Sequence, residues 1–367
     1  MTTKIQIQAA IISIVTLITS AQAQFTAGNL VVLRDGDGTA PLSNAGTVLF
    51  LDQYTTSGTF VNSLAIPSTG SSALVNSGTA TSEGALNLSG NGQYLVVAGY
   101  NAAAGTASIA STTAAAAPRG VATVNASGNY TLAATSSSFF SANNIRSAAS
   151  DGAGNFWAAG ANTGVAYMGN NGAATAVSAS PLTNLRVVQT IGNNLFYSSG
   201  SGSSRGIYEV AGNPTSGSST AIGLITNGAS ASPYDFAFNA NLTLAYVADS
   251  DAYTTSSGVG GVEKWEYNGS AWVFDYSISM GTNGATGLAV DFSQANPIVY
   301  ATSANGQSLF DITDTGATAS GTLLATAAAN EVIRGLDFSP INVPEPATVA
   351  LAGIGLAALW SFRRRKS

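Results

Sequence analysis

Short apolar strands that recur in pairs are the feature that most constrains the fold of this chain. In each pair, two apolar segments rich in β-forming residues flank a turn containing Asn, Asp or Gly. The second strands of the five clearest pairs begin at Tyr94, Phe156, Leu195, Leu244 and Ile298, giving spacings of 62, 39, 49 and 54 residues. A loose period near 50 residues is typical of propeller blades with loops of unequal length.

A second, more polar hairpin occupies the space between successive pairs. The clearest examples are 120–132, 206–224 and 262–276, and Asn268-Gly269 in the last is a strong tight-turn signal. This arrangement gives four strands per unit, with almost wholly apolar inner strands and alternating outer strands. Stacked blades cover inner strands on both faces, whereas the outermost strand meets water. The sequence therefore predicts an all-β chain folded as a β-propeller.

The two ends of the repeat region each contain part of a blade. Residues 332–338 have the pattern of a first strand with nothing after it, whereas 30–33, 47–51 and 59–64 have the pattern of strands two to four. Joining them would complete one blade and remove the exposed sheet edges. The prediction is six four-stranded blades closed by both termini. A seventh blade within the Ala-rich loop 101–118, a β-sandwich and a β-solenoid are the alternatives.

The composition narrows the chemistry that the folded part can perform. The chain has no His and no Cys, which removes His-based triads, thiol nucleophiles, the usual zinc ligands and disulfide bonds. Between Gln24 and Glu345, seven cations accompany eighteen acids, a net charge of −11. Such a balance disfavours binding to nucleic acid, which is contacted mainly through Lys and Arg.

The segment Arg34-Asp35-Gly36-Asp37-Gly38 is the sharpest local motif. Asp-Gly-Asp-Gly resembles the start of a calcium loop, but the twelfth position counted from Asp35 is Gly46 instead of a bidentate Glu. Asp35 and Asp37 are therefore the candidate metal ligands, with calcium as the candidate ion. The alternative is a turn in which Asp side chains cap amides and Gly supplies positive φ.

Acidic and aromatic residues give only weak indications of catalysis or sugar binding. Asp249 and Asp251 follow a buried strand, and paired carboxylates suffice for glycoside hydrolysis when one pKa is raised. No second acid cluster accompanies them, so we assign no catalytic and no cofactor-binding residue. Trp157, Trp265 and Trp272 lie within strand patterns and are expected to contribute to blade packing, with carbohydrate stacking as the alternative.

The N-terminus has the organisation of a secretory signal peptide. Lys4 supplies a small positive region, residues 11–18 are apolar, and Ala21 and Ala23 fit the small-x-small cleavage pattern. Cleavage by signal peptidase after Ala23 would leave a mature chain that starts at Gln24. The expected signal peptide is residues 1–23.

The C-terminal tail has three parts that together predict a membrane-held segment. They are the motif Val343-Pro344-Glu345-Pro346, the uncharged stretch 347–362, and the cations Arg363, Arg364, Arg365 and Lys366. As a helix, the uncharged stretch would span about 24 Å, slightly short of a hydrocarbon core. The two prolines prevent an earlier helix start, and the terminal cations would act as a cytoplasmic anchor.

This order of parts resembles the PEP-CTERM sorting signal of Gram-negative bacteria, over residues 342–367. The resemblance implies recognition by an exosortase, cleavage near Pro-Glu-Pro, and transfer to the cell surface or extracellular matrix. A plain C-terminal anchor is the alternative. The same tail occurs on unrelated passengers, so it does not identify the activity of residues 24–341.

Two functions from different classes remain for the passenger domain, residues 24–341. The preferred one is a non-enzymatic binding or structural propeller of the surface or matrix, with extracellular polysaccharide as the expected partner. The alternative is a secreted hydrolase or lyase that acts on polysaccharide through carboxylates. The central mouth of the propeller separates them, because an enzyme should gather several acids and aromatics there, whereas a structural module should show a shallow, neutral face.

Overall fold

The computed structural model describes residues 24–169, 174–178, 183–228, 231–254 and 258–342. The predicted signal peptide and the predicted tail helix lie outside these residues. Within them, the chain forms β-strands and a single 3-10 turn, Ile109–Ser111, and contains no α-helix. None of the described elements is a helix with the length and apolar character needed to cross a bilayer.

Six four-stranded antiparallel sheets make up the fold, and we number them as blades along the chain. The strands of each blade are given from the innermost outward. Blade 1 contains Val332–Phe338, Leu30–Asp35, Leu49–Tyr54 and Phe60–Ala65. Blade 2 contains Leu86–Leu88, Tyr94–Tyr100, Arg119–Asn125 and Tyr130–Ser136. Blade 3 contains Ile145–Ser150, Phe156–Gly160, Ala166–Tyr167 and Thr175–Ala176.

The second half of the chain continues the same strand order. Blade 4 contains Leu185–Ile191, Asn194–Ser201, Ser204–Val210 and Ala221–Thr226. Blade 5 contains Pro233–Phe238, Leu244–Asp249, Gly261–Tyr267 and Trp272–Ile278. Blade 6 contains Ala285–Asp291, Ile298–Ser303, Ser308–Thr313 and Thr322–Thr326. A small two-stranded sheet, Gly46–Thr47 with Asn76–Ser77, lies outside the blades.

The innermost strands form a closed ring. Each contacts the innermost strand of the next blade, from blade 1 through blade 6 and back to blade 1. Backbone hydrogen bonds join blades at this ring: Gly335 N donates to Gly84 O at 2.8 Å, and Ala85 N donates to Arg146 O at 3.2 Å. The predicted six-bladed propeller is confirmed, and the sandwich and solenoid alternatives are wrong.

Blade 1 is closed by both ends of the folded region, as predicted. The strand Val332–Phe338 pairs antiparallel with Leu30–Asp35, with Val32 opposite Leu336. Because every blade and both closing strands lie between Gln24 and Ile341, residues 24–341 contain the complete ring. The loop 101–118 joins the second and third strands of blade 2 and contains no seventh blade.

The core is divided into apolar clusters between neighbouring blades. Between blades 4 and 5, for example, Phe196, Phe236, Val247 and Trp265 pack together. Burial of such side chains stabilises the ring by roughly 1.5–3 kcal/mol each. The outermost strands meet water, as predicted, and Phe60 in blade 1 is 54% exposed.

The tryptophans pack within the fold rather than forming an open platform. The Trp157 side chain is 0% exposed, and its Nε1 donates to Pro214 O at 2.7 Å. Trp265 lies edge-on to Phe274 with ring centroids 5.4 Å apart, and Trp272 contacts Phe238 in the same manner at 5.2 Å. These contacts agree with the predicted packing between and within blades.

Candidate functional site

Bulges near the start of the innermost strands create the central mouth of the propeller. In five blades the register between the first and second strands shifts at this point, and the residues within the shifts include Arg146, Arg186, Tyr234, Thr286 and Arg334. A bulge leaves a residue outside the regular ladder and redirects its side chain. The repeated irregularity therefore places a polar side chain from each of these five blades at the same end of the ring.

The mouth is a small polar cavity with a cationic lining. Arg186, Tyr234, Thr286 and Arg334 line it together with Glu83, which precedes the first strand of blade 2. The space that water centres can occupy there is about 20 Å³, roughly the room of one water molecule. Arg146 does not line the cavity, but its charge acts on that of Arg186. We call Arg186, Tyr234, Arg334 and Glu83, together with the adjacent Arg146, the arginine mouth.

Arg334 is held by a buried ion pair with Asp35. The Arg334 Nε lies 3.1 Å from Asp35 Oδ2, and the two side chains are 6% and 0% exposed. The Arg334 Nη2 also donates to Gly78 O at 3.4 Å. Burial raises the pKa of Asp35, while the adjacent Arg334 charge opposes this rise. The ion pair fixes the Arg334 guanidinium group at the mouth, and the Asp35 carboxylate neutralises its charge.

Arg146 and Arg186 lie at the mouth without a carboxylate hydrogen-bonded to either. The Arg146 Nη1 donates to Asn184 Oδ1 at 2.7 Å and to Leu185 O at 3.0 Å. The Arg186 Nη1 donates to the Tyr234 hydroxyl, and the guanidinium carbon lies 4.2 Å from the centroid of that ring. These contacts orient both guanidinium groups, and the acids that act on them, Glu83 on Arg146 and Asp251 on Arg186, do so without a hydrogen bond in the described structure.

Glu83 is the buried acid of the mouth. Its Oε1 accepts hydrogen bonds from the Tyr100 hydroxyl at 2.5 Å and from Asn144 Nδ2 at 2.6 Å, and its Oε2 accepts one from Ser77 N at 2.8 Å. Burial raises the pKa of Glu83 to about 7, although the three donors act in the opposite direction. Both oxygens are thus already engaged by the protein.

Hydrogen-bonded polar side chains fill the axis below the mouth. Asp235 Oδ2 accepts a hydrogen bond from Leu288 N at 3.0 Å, and Asp337 Oδ2 accepts one from Leu88 N at 2.6 Å. Asn87 Nδ2 donates to backbone carbonyls of blades 3 and 4 at 2.8 and 3.2 Å. The prediction of almost wholly apolar inner strands is wrong, because side chains on the axis satisfy the unpaired backbone groups of neighbouring blades.

These buried acids predict that the protein is more stable at mildly acidic pH than at pH 8.5. Burial raises the pKa to about 7 in Glu83 and Asp337 and to about 8 in Glu263, against about 4 when unfolded. The folded state therefore binds protons more tightly, and stability falls as pH rises through these values. Thermal unfolding by circular dichroism should show a higher Tm at pH 5.5 than at pH 8.5. A Tm that decreases steadily on acidification over this range would contradict the assignment.

The candidate metal ligands Asp35 and Asp37 have different surroundings. Asp35 is buried against Arg334, whereas Asp37 is exposed and its Oδ1 accepts hydrogen bonds from Thr39 N at 3.0 Å and Thr39 Oγ1 at 2.7 Å. These Thr39 hydrogen bonds lower the pKa of Asp37. Among the described residues, no group of three or more acidic side chains has an arrangement that could hold a metal ion.

The motif 34–38 joins the two ends of the ring. Arg34 pairs with Glu331 at 2.8 Å, and its neighbour Asp35 pairs with Arg334. Gly36 has φ +94°, and a Cβ there would lie 2.5 Å from Asn330 O. The motif therefore connects the N-terminal strand to the segment that carries the closing strand, so Gly36 is required both by its backbone conformation and by this close approach.

Asp249 and Asp251 do not form the carboxylate pair that their spacing suggested. Asp249 is fully buried, while Asp251 is exposed and uses its backbone N to donate to Asp249 Oδ1 at 2.8 Å. The carboxyl partner of Asp249 is Glu263 on the adjacent strand, also fully buried. Burial and the nearby Asp249 together raise the pKa of Glu263 to about 8, so a proton is held between the two carboxyl groups near neutral pH.

Several predicted residues lie outside or at the margin of the described structure. Gln24, the expected mature N-terminus, is described, and its carbonyl accepts a hydrogen bond from Asn62. The expected cleavage residues Ala21 and Ala23, the motif 343–346 and the cations 363–366 lie outside the described residues. They remain predictions from the sequence.

Comparison with known proteins identifies the tail and the fold. Residues 342–366 match the family described as the PEP-CTERM protein-sorting motif. No curated protein matches the sequence. The fold is similar to a chain in the crystal structure of a nidogen/laminin complex, with a TM-score of 0.51 and 10% identity, covering 85% of this chain and 98% of that chain.

Two putative 6-phosphogluconolactonases are more distant structural neighbours. The protein from Bacteroides fragilis has a TM-score of 0.46 and 13% identity, covering 82% of each chain. The protein from Bacteroides uniformis has a TM-score of 0.45 and 14% identity, covering 86% of this chain and 84% of that chain. At such identities no activity can be transferred. This chain carries a PEP-CTERM protein-sorting motif, which implies export and processing by an exosortase, and its folded part is a six-bladed β-propeller.

Proposed function

We propose that the protein is a surface or extracellular-matrix component whose propeller binds polysaccharide without chemically changing it. The arginine mouth is the observation that carries this proposal. It is a shaped polar cavity at the axis, the position where propellers have one opening shared by all blades. Its guanidinium groups offer hydrogen-bond donors, which suit the hydroxyl and acidic groups of sugars.

The state of the acidic residues supports a binding role over a hydrolytic one. A carboxylate glycosidase needs two carboxyl groups that flank the bond to be broken. Glu83, the one acid lining the described cavity, uses both oxygens for hydrogen bonds within the protein. Asp249 and Glu263 do form a close carboxyl pair, but both are fully buried among the strands of blade 5. Neither arrangement leaves two carboxyl groups facing a substrate.

A combined binding and turnover assay tests this proposal. Residues 24–341 would be purified and presented with a panel of matrix polysaccharides on a biosensor, while release of reducing ends or unsaturated sugars is followed over time. We expect binding to at least one polysaccharide with no product formation. Product formation would overturn the proposal in favour of the hydrolase or lyase alternative, and no binding to any polysaccharide would remove the binding role.

The tail supplies a separate prediction about delivery. Pro344 and Pro346 keep the segment around Glu345 out of a helix, so an enzyme cleft can bind it in an extended form. Replacing these three residues by Ala should leave export intact but accumulate an unprocessed membrane form, as seen by fractionation and immunoblotting. Thr348→Ala is the matched control and should be processed normally. Wild-type distribution of the triple variant would favour a plain anchor.

A further inference from the structure

Two arginines at the mouth have donors that the protein does not use. The Nε atoms of Arg146 and Arg186 are buried and have no hydrogen-bond partner among the described residues. Each guanidinium group has five N–H donors, yet Arg146 makes two hydrogen bonds and Arg186 makes one within the described structure. Buried donors without acceptors are rare in folded proteins. The Nε atoms of Arg119 and Arg205 share this feature, but of these four arginines only Arg186 lines the cavity, where a ligand could supply the missing acceptor.

Neither of these two arginines is hydrogen-bonded to an acid in the described structure. Burial and the neighbouring Arg186 charge together lower the pKa of Arg146 to about 10. Burial likewise lowers the pKa of Arg186, with the nearby Arg205 adding to the effect. Like charges of Arg146 and Arg186 are therefore held close together in a partly dry site. That arrangement is unfavourable unless an anion lies against it.

Asp35 and Glu83, two acids at the mouth, are bonded to other groups of the protein. Asp35 is paired with Arg334, and both oxygens of Glu83 accept hydrogen bonds from Tyr100, Asn144 and Ser77. Neither acid is hydrogen-bonded to Arg146 or Arg186. Three of the seven cations between residues 24 and 341 thus lie at one mouth of a body that is strongly acidic as a whole.

We propose that the arginine mouth binds a compact anionic group, a carboxylate or a phosphate, carried by the extracellular ligand, with Arg186 as its principal partner and the charge of the adjacent Arg146 adding to the attraction. This inference rests on the proposed binding function and adds the chemical class of the ligand. Guanidinium groups bind carboxylates and phosphates through paired, charge-assisted hydrogen bonds. The cavity has room for about one water-sized atom, which matches a single anionic oxygen, so the rest of the anionic group and its sugar would stay at the opening.

Calorimetric titration of residues 24–341 with three probes tests the ligand class. Oligogalacturonate supplies carboxylates, inorganic phosphate supplies phosphate, and dextran oligosaccharides of similar length are neutral. We expect an anionic probe to bind, with affinity that decreases as NaCl is raised, and the neutral probe to bind more weakly or not at all. The comparison of the first two probes identifies which anion fits the cavity.

Variants locate the binding site and separate this inference from the proposed function. Arg186→Met and Arg146→Met should each weaken binding of the anionic probe by about tenfold or more. Lys264→Met, which removes one positive charge away from the mouth, should change it less than threefold, and unfolding curves verify that each variant is folded.

Equal affinity of the arginine variants and the wild type would overturn the inference while leaving polysaccharide binding intact. Equal affinity of the neutral and anionic probes for the wild type would also overturn the inference. This comparison does not depend on any variant. Absence of binding to both anions would also overturn the inference. Loss of the proposed function itself requires failure of the whole polysaccharide panel.

Discussion

A chain that lacks residues 331–341 should fail to form a stable monomer. The deletion removes the inner strand Val332–Phe338, which pairs with Leu30–Asp35 and contacts the inner strands of blades 2 and 6. It also removes the buried Ile333 and Leu336 side chains, each worth roughly 1.5–3 kcal/mol. The loss of free energy of unfolding from these two side chains alone is a large part of the stability of a typical domain. The deletion also exposes an unpaired sheet edge, which promotes aggregation.

Size-exclusion chromatography with light scattering and thermal unfolding would measure this effect. The body ending at Ile341 is the control, because it keeps the closing strand and lacks only the tail. We expect the control to be monomeric with a single cooperative transition and the deletion variant to aggregate or unfold at room temperature. A soluble monomeric variant with an unchanged Tm would show that blade 1 does not need its C-terminal strand.

Arg334→Met should destabilise the body by about 3–5 kcal/mol at pH 8. The substitution keeps much of the side-chain volume but leaves the Asp35 carboxylate fully buried without its cation. Breaking one member of a buried ion pair is costly because the remaining charge is uncompensated. At pH 5 the loss should be smaller, since Asp35 can then be protonated, and its pKa is already raised by burial.

The double variant Asp35→Asn, Arg334→Met is the control for this mechanism. It removes both charges and should recover a large part of the lost stability, because no unpaired ion remains. Urea unfolding at pH 8 and pH 5 measures all three proteins. If the double variant is less stable than Arg334→Met at pH 8, the loss comes from packing rather than from an unpaired Asp35 charge.

The blades were predictable from sequence because their signal is local. Tyr94–Tyr100 and Leu244–Asp249 are short apolar segments, and each is preceded by residues that favour a turn. Neighbouring blades bury such segments wherever they occur in the ring. Closure by the two termini was predictable for a similar reason. The half-blades at the ends differ from the repeat in complementary ways, and a free sheet edge is unfavourable.

The mouth was not predictable, because it depends on partners far apart in sequence. Arg146 and Arg334 are single cations within strand patterns, and nothing local indicates the bulges that redirect them into the axis. The partner of Arg334 is Asp35, 299 residues away. The scarcity of cations is a signal that could have been used. A cation within a buried-strand pattern is costly, so when one of only seven cations lies there, a specific role is indicated.

The acidic motifs were misleading for the same physical reason. Asp-Gly-Asp-Gly is a sound local indication of a turn, but the ring closure decides that Asp35 is buried against an arginine. Asp249 and Asp251 are two residues apart along one chain segment, so their side chains have different environments. The cross-strand neighbour Glu263 could only be found once the strand register was known.

The intact mass of the mature protein from its native host tests the central claim of this account, that the propeller is a passenger delivered by its tail. If the sorting motif is used, the chain should begin at Gln24 and end near Pro344 to Pro346, without the apolar stretch 347–362 or the cations 363–366. High-resolution mass spectrometry of protein from the cell surface and culture medium distinguishes a processed C-terminus from one that still carries the tail. A chain that still ends at Ser367 in that material would contradict the account.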